Sequence, residues 1–493
     1  MQMPASIPVA PAMPWVVLVG MAALLAAWLI HFVMRWNMSP PCKAGAMLPP
    51  GSRGFPVLGE SLEFFARSPS LELTPFLKRR LDRYGPIFRT NLIGEDIIVS
   101  LDQDLNNLVF QKEEKLFQIW YPESLMRIMG ADCIIATLGT FHKHLRSLVL
   151  RLFGPENLRT VLLHEVQQTA KASLLSWLDH PSIEVKEATA SMIFGITAKR
   201  LISYDSSSSD GKLWKEFDAF LQGLLAFPLY IPGTAFYKCM QGRKNVMKIL
   251  KELLNKRKKA TCHESVDFVD ILISDLKENK TLMNEKIALD LVFLLLFAGF
   301  ETTSSGITVA LKFLSDNPEA LQELTEEHNS IRKRKANHDS EITWEEYKSM
   351  KFTSHVIHES LRLANIAPVM FRKAIEEVHI KGYTIPKGSK IMVNPSSIHL
   401  DTTIYKDPNA FNPWRWKDIT EPVGGSSKEF MAFGGGLRLC VGADFAKLQM
   451  AIFLHFLVTK YSDQGREHGA FSWTSVSLWF SHPTSSKILM HDI

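Results

Sequence analysis

The sequence predicts a mainly α-helical protein with small β-sheets, preceded by one N-terminal transmembrane helix. Three observations carry this. Residues 14–34 form an apolar run, residues 285–316 read as one long helix with an apolar centre, and residues 87–100 have the pattern of a hairpin. Recurrence near 3.6 residues marks helices, and short β-branched runs split by a turn mark strands.

The apolar run holds 21 residues and no Asp, Glu, Lys or Arg. That length crosses a bilayer as a helix. Trp15 and Trp36 flank it, as interfacial aromatics do. No Lys or Arg precedes the run, whereas Arg35, Lys43 and Arg53 follow it, so the positive-inside rule leaves the remainder of the chain in the cytosol. A cleaved signal peptide is the rival reading; the run is too long for one and lacks a basic start. The sequons at Asn37 and Asn279 are expected to stay unmodified in this topology. Residues 1–36 are thus expected to be a membrane anchor. Residues 37–59 follow as a hinge, with Leu48-Pro49-Pro50-Gly51 and Gly54-Phe55-Pro56. Proline fixes φ there and glycine permits turns. Residues 60–493 read as one domain, since no linker divides them although the length would allow about three.

Hydrophobic residues make up 46 % of the chain, enough for a large core. The formal charge of +5, with no basic motif interleaved with aromatics, argues against nucleic acid as a partner. The five cysteines, Cys42, Cys133, Cys239, Cys262 and Cys440, show no zinc spacing. An odd, sparse set suits a reducing compartment.

Within the domain, residues 87–90 and 97–100 are the expected hairpin strands, split by Ile93-Gly94-Glu95-Asp96. Residues 103–181 read as several amphipathic helices, residues 206–211 as a loop, and residues 227–233 as an apolar break between helices. The basic runs 256–259 and 332–335 read as solvated helix ends or loops. In the 285–316 helix, the apolar stretch 291–300 spans ten residues, too few to cross a membrane. A helix apolar all round belongs in a core.

The chemistry concentrates in Phe433-Gly434-Gly435-Gly436-Leu437-Arg438-Leu439-Cys440-Val441-Gly442. Three glycines let the backbone turn tightly beside a flat group. Arg438 suits an acidic partner, and Cys440 as a thiolate suits a metal. This stretch resembles the haem-binding loop of the cytochrome P450 monooxygenases. The resemblance implies the cytochrome P450 fold (α+β). It also implies haem b held by Cys440 as axial thiolate beside Phe433, with a haem propionate on Arg438. O2 and electrons from NADPH, delivered by a separate NADPH-cytochrome reductase, are the implied cosubstrates. No flavin or dinucleotide motif is present in the chain, and the triple glycine lacks the spacing for one.

Further motifs extend the resemblance. Ala298-Gly299-Phe300-Glu301-Thr302-Thr303 is similar to the family's oxygen-activating stretch. It implies that Thr302 hydrogen-bonds dioxygen or a water, that Glu301 relays protons, and that Gly299 leaves space for dioxygen. An acid in an apolar helix needs a partner or a role in any case. Glu359-Ser360-Leu361-Arg362 resembles the family's Glu-x-x-Arg motif, with Arg415 as third member of a structural lock. Trp414 stands where most members have an acid. Arg146, in His142-Lys143-His144-Leu145-Arg146, and Arg372 are the other implied propionate partners, with His142 where Trp is usual. Lys143 and His144 read either as a solvated face or as a docking surface for an acidic electron donor. His399-Leu400-Asp401-Thr402 departs from the usual loop sequence.

Residues 227–234, 342–350 and 411–417 resemble the plant clan acting on isoprenoid-derived substrates, within it the family that oxidises sterol and cucurbitane-type triterpenoid side chains. One implied activity is sterol side-chain cleavage toward pregnenolone, on the route to cardenolides. Trp120, Leu294, Ala298, Val369, Met370 and Leu478 are the implied substrate-pocket residues, joined by Phe117, Leu125, Met129 and Trp479. The expected enzyme is an endoplasmic-reticulum protein with a cytosolic haem-thiolate domain and a hydrophobic small-molecule substrate. Its rivals are a hydroxylase of another isoprenoid such as a brassinosteroid, an oxygen-independent haem-thiolate isomerase or dehydratase, and a non-catalytic lipid carrier. Intact Glu301, Thr302, Cys440 and Glu359 argue against the last two.

Overall fold

The apolar run falls within a helix, Met13–Asn37, in a computed structural model that describes residues 13–37, 47–66, 72–130, 132–180, 182–205, 211–221, 223–224, 226–259, 267–278, 282–337, 340–417, 427–468 and 487–489. Its described side chains are almost all exposed. The helix is long and apolar enough to cross a membrane, and none of it is buried. Its end is fastened to Arg53 and Gly54. Trp36 donates from Nε1 to the Gly54 carbonyl (3.2 Å), and Arg53 donates to the Trp36 carbonyl (2.8 Å) while stacking over its ring. Arg53 also pairs with Asp96.

The expected hairpin forms from Ile87–Leu92 and Glu95–Ser100, with Ile87 opposite Ser100. Ile93 and Gly94 at its turn both have positive φ (52° and 79°), as a tight two-residue hairpin turn requires. The second strand pairs in parallel with Lys390–Val393, which pairs antiparallel with Met370–Ala374. Phe117–Ile119 closes the five-stranded sheet and sets Ile119 opposite Arg372.

The long helix spans Glu285–Asp316, as its pattern predicts. The Asn284 side chain caps it by accepting from the Ile287 amide (3.0 Å). It packs closely against Val185–Ile202. The helices Lys351–Ala364 and Ala443–His468 lie on its other flank.

The basic runs are less solvated than expected. Lys256, Lys258 and Lys259 are exposed, but Arg257 pairs with Asp267 (2.9 Å) and Asp270 (3.1 Å). Lys335 donates to the carbonyls of Ser340 (3.0 Å) and Glu341 (2.7 Å), and Arg332 to that of Thr459 (3.2 Å). Long cationic side chains near helix ends bond backbone carbonyls that would otherwise lack partners. The loop expected at 206–211 lies outside the described residues but for Gly211.

Two buried histidines tie helices together in the neutral form. His328 Nδ1 meets His455 Nδ1 (3.0 Å), and its Nε2 meets Thr353 (3.0 Å). His399 Nε2 accepts from the Met431 amide (2.9 Å). Burial holds both His328 and His399 down to about 3. An unfolded histidine titrates near 6.5. Between those values the unfolded chain binds protons that the folded one refuses, so stability falls as pH falls below about 6.5. From these two groups, denaturant unfolding at pH 5.5 is expected to show about 2–3 kcal/mol less stability than at pH 7.5. A profile flat over that range would contradict the assignment of both as buried and neutral.

Candidate active site

The glycine-rich loop is shaped by its neighbours. Gly434 and Gly436 have φ of +75° and +65°. A Cβ on Gly436 would lie 2.1 Å from the Phe110 carbonyl oxygen, and one on Gly435 3.1 Å from its ring. Glycine is required here by close approach as well as by φ. The Cys440 amide donates to the Phe433 carbonyl (3.0 Å), closing the loop. Arg146 donates to the Leu439 carbonyl (2.6 Å), fastening the loop to the helix Gly139–Phe153.

Dense protein surrounds Cys440, yet its side chain is exposed. Both hold if the thiol borders interior space instead of bulk water. Burial pushes the free thiol up, while the Gly442 amide and the Arg146 charge oppose that shift. Such a sulfur becomes a thiolate when a metal compensates its charge.

The lock is assembled from three parts of the chain. Glu359 and Arg362 have fully buried side chains and pair through two hydrogen bonds (2.8 and 2.9 Å). Glu359 also accepts from Arg415 Nε, the Asn412 amide and Trp416 Nε1, each at 2.9 Å. Arg362 donates onward to the carbonyls of His399 (2.5 Å) and Pro408 (2.7 Å). Trp414, in the place of an acid, turns outward and donates to Glu323 (2.6 Å). His399, read from sequence as a loop residue only, links this lock to Met431, two residues before the loop.

Two of the three arginines predicted to meet carboxylates, Arg372 and Arg438, converge on a residue the sequence reading missed. Glu113 accepts from Arg372 Nη2 (3.1 Å) through one oxygen and from Arg438 Nε through the other. Arg438 further donates to the carbonyls of Ile134 and Thr137. Tyr121 stands near Arg372 and Arg438, whose charges oppose the upward push that burial gives its phenol. His142 is buried beside them; burial and the Arg438 charge hold it down to about 4. His144 is tied to Asp275 (3.0 Å), so it does not belong to a free docking face, while Lys143 is exposed.

On the core helix, Thr302 is exposed between buried turns and donates to the Ala298 carbonyl (2.7 Å). Glu301 has a partner, Lys186 (3.0 Å), whose ammonium also reaches Ser304 (2.9 Å) and Ser305 (2.8 Å). Burial lowers Lys186, and the Glu301 charge offsets this. Gly299 is a correction. A Cβ there would point at the Thr197 side chain (2.9 Å), so its small size serves packing against Val185–Ile202 and not the space for dioxygen. Ala298 lies nearer the accessible stripe.

The pocket candidates divide between the sheet side and the helical core. Trp120 and Val369 pack with Phe371 on the sheet side, the Trp120 and Phe371 rings 5.8 Å apart. Met370 approaches Gly434, 3.5 Å from where a Cβ would stand. Leu294, Leu125 and Met129 belong to the helical core. Phe117 is fully buried in a separate cluster and is core. Leu478 and Trp479 lie outside the described residues.

An exposed thiol amid dense protein, two nearly buried guanidiniums that share one carboxylate, and a third guanidinium on the cysteine-loop backbone fit an iron porphyrin with two carboxylates. The helical fold with its small sheets, and the cysteine loop set over a buried Glu–Arg–Arg lock, define a haem-thiolate oxygenase. The family model described as Cytochrome P450 matches residues 49–468, and the chain belongs to that family. It is 50 % identical to "Cytochrome P450 87A3" of Oryza sativa subsp. japonica over 88 % of this chain and 84 % of that protein. It is 40 % identical to a cucurbitadienol 11-hydroxylase of Siraitia grosvenorii (91 % and 93 % covered) and 37 % identical to a cholesterol 22-hydroxylase of Paris polyphylla (91 % and 93 %). Among solved structures, a cyanobacterial cytochrome P450 with retinoic acid bound matches with a TM-score of 0.74 at 28 % identity, over 84 % of this chain and 92 % of that one. The chain is a cytochrome P450 monooxygenase, and the family uses haem on a cysteine thiolate, O2 and NADPH-derived electrons.

Glu359→Gln would leave two guanidiniums facing a neutral amide and should cost about 3–5 kcal/mol. The full chain should then retain less haem, read from its absorbance per protein. Gly436→Ala should act more locally, displacing the loop from Phe110 and weakening the carbon monoxide difference band while far-UV circular dichroism stays unchanged.

Proposed function

We propose that this enzyme hydroxylates the side chain of a sterol or triterpenoid, with further oxidation toward side-chain cleavage and pregnenolone as its candidate extension. The observation that carries the reading is an exposed Cys440 amid dense protein, in a chain whose buried core helix also carries an exposed Thr302 next to a Lys186-paired Glu301. Relatives named for cucurbitadienol and cholesterol hydroxylation support the substrate class.

In this reading Cys440 holds the iron, and Arg438, Arg372 and Arg146 supply positive charge to its carboxylates. The haem supplies two-electron activation of O2 and insertion of one oxygen atom into a C–H bond. Thr302 keeps its hydroxyl hydrogen toward the Ala298 carbonyl, so its oxygen can accept a hydrogen bond from a proton donor in the site. Glu301, held by Lys186, can take up protons from water and release them beside Thr302. The lock of Glu359, Arg362 and Arg415 positions the loop and takes no part in proton movement.

The anchor, residues 1–36, sets the domain on the cytosolic face of the endoplasmic reticulum. A second apolar contact supports this. Phe55, Val57, Leu62, Leu229, Tyr230 and Ile231 are exposed, and Phe65 meets Phe227 (6.3 Å) where their two segments join. An exposed apolar patch near an anchoring helix fits a lipid surface. NADPH-cytochrome reductase is the electron donor.

The test is reconstitution of the full chain in vesicles with that reductase and a panel of sterols and triterpenoids. The expected product carries one added oxygen on the side chain, and only when NADPH is present. Turnover of neither class, or conversion without NADPH, would overturn the proposal. Thr302→Ala is expected to raise hydrogen peroxide release severalfold at similar NADPH consumption; unchanged coupling would remove Thr302 from proton delivery.

A further inference from the structure

One buried carboxylate stands among the haem-facing cations with no role in the family motifs quoted above. Glu113 lies between the helix Gln103–Gln111 and the strand Phe117–Ile119, far in sequence from its partners. Its side chain is 1 % exposed. Both oxygens are used. Oε2 accepts from Arg372 Nε (3.3 Å) and Nη2 (3.1 Å), and Oε1 accepts from Arg438 Nε. Arg372 and Arg438 are themselves nearly buried. The neighbouring Glu114 turns away and accepts from the Gly139 amide (2.8 Å).

The other groups around it complete a charge count. Arg146 is held on the Leu439 carbonyl. His142 packs beside Arg438 and Glu113 in its neutral form, and the Tyr121 hydroxyl is neutral too. Arg146, Arg372 and Arg438 against Glu113 give three positive charges and one negative, a surplus of two. Haem b carries two carboxylates. Buried charge is tolerated when it is paired and hydrogen-bonded and is costly when it is not.

We infer that Glu113 is a positioning residue for the cofactor, clamping Arg372 and Arg438 into one orientation and trimming the cluster's charge to match two carboxylates. The inference rests on the haem-thiolate reading. Without Glu113 the same cations would leave one excess positive charge near the iron, at low dielectric. Added positive charge favours the reduced state of a metal centre, because that state carries one less positive charge. Groups beyond the ligands tune a cofactor in this way. A mere strut between the sheet and the loop would not shift that equilibrium.

The experiment uses full-length protein loaded with haem, and reads the carbon monoxide difference spectrum and the ferric–ferrous midpoint potential. Glu113→Gln is expected to keep the thiolate-type band and to raise the ferrous-to-ferric ratio at fixed potential at least threefold (tenfold corresponds to about 59 mV for one electron). Glu113→Asp keeps the charge and is expected to stay within twofold of wild type. An unmoved potential in Glu113→Gln, or an equal shift in Glu113→Asp, overturns the inference. If Glu113→Gln takes up no haem, the charge-retaining Glu113→Asp is expected to take up haem as the wild type does, with its ferrous-to-ferric ratio within twofold. Loss of haem in Glu113→Asp as well also overturns it. A wild-type protein with no thiolate band would instead overturn the haem reading itself.

Discussion

The structure depends on a carboxylate that has no access to water. Glu359 accepts five hydrogen bonds, from Arg362, Arg415, Trp416 and the Asn412 amide. A buried ion pair is weak evidence for stability as such, since desolvation offsets most of the attraction. Its value here is geometric. Arg362 has no conformational choice once its fork spans Glu359 and the carbonyls of His399 and Pro408. Those carbonyls stand at the end of the short helix Pro395–His399 and in the irregular chain after it, ahead of the cysteine loop.

From that lock a continuous series of contacts reaches the thiol. His399 bonds the Met431 amide, the Cys440 amide bonds the Phe433 carbonyl, and Arg146 bonds the Leu439 carbonyl. Phe110 presses on Gly435 and Gly436 from the opposite side. The loop is thus gripped by a helix, a sheet-side aromatic and a buried polar network. Cofactor sites need such rigid support, because small displacements of a ligand atom change its chemistry.

Across the core helix the same logic of pairing recurs. Glu301 is only partly buried and pairs with Lys186 from a neighbouring helix. Thr302 is held by its own helix, four residues back. Acid and hydroxyl are adjacent in sequence, but only the acid depends on a tertiary partner.

Much of this was legible in the sequence, for local reasons. The membrane-length apolar run, the 285–316 helix, the hairpin and the glycine–cysteine loop each follow from composition and spacing within a few dozen residues. The Glu359–Arg362 pair was legible because i and i+3 share a helix face. The third lock member and the haem-ligand role of Cys440 were legible only through resemblance. Partners that are remote in sequence were not legible at all. Lys186 stands 115 residues before Glu301, and Glu113 lies 259 before Arg372 and 325 before Arg438. Nothing local marks either as buried: in sequence, Glu113 is one of two adjacent acids next to a lysine, the usual look of a solvated turn. The direction in which Gly299 faces was likewise undecidable, since a glycine in a helix shows no side chain and the packing of Thr197 decides it. The chain by itself determined which chemistry is present and on which elements. Tertiary structure alone decided which charges are buried together, because desolvation and pairing depend on neighbours that only folding brings into contact.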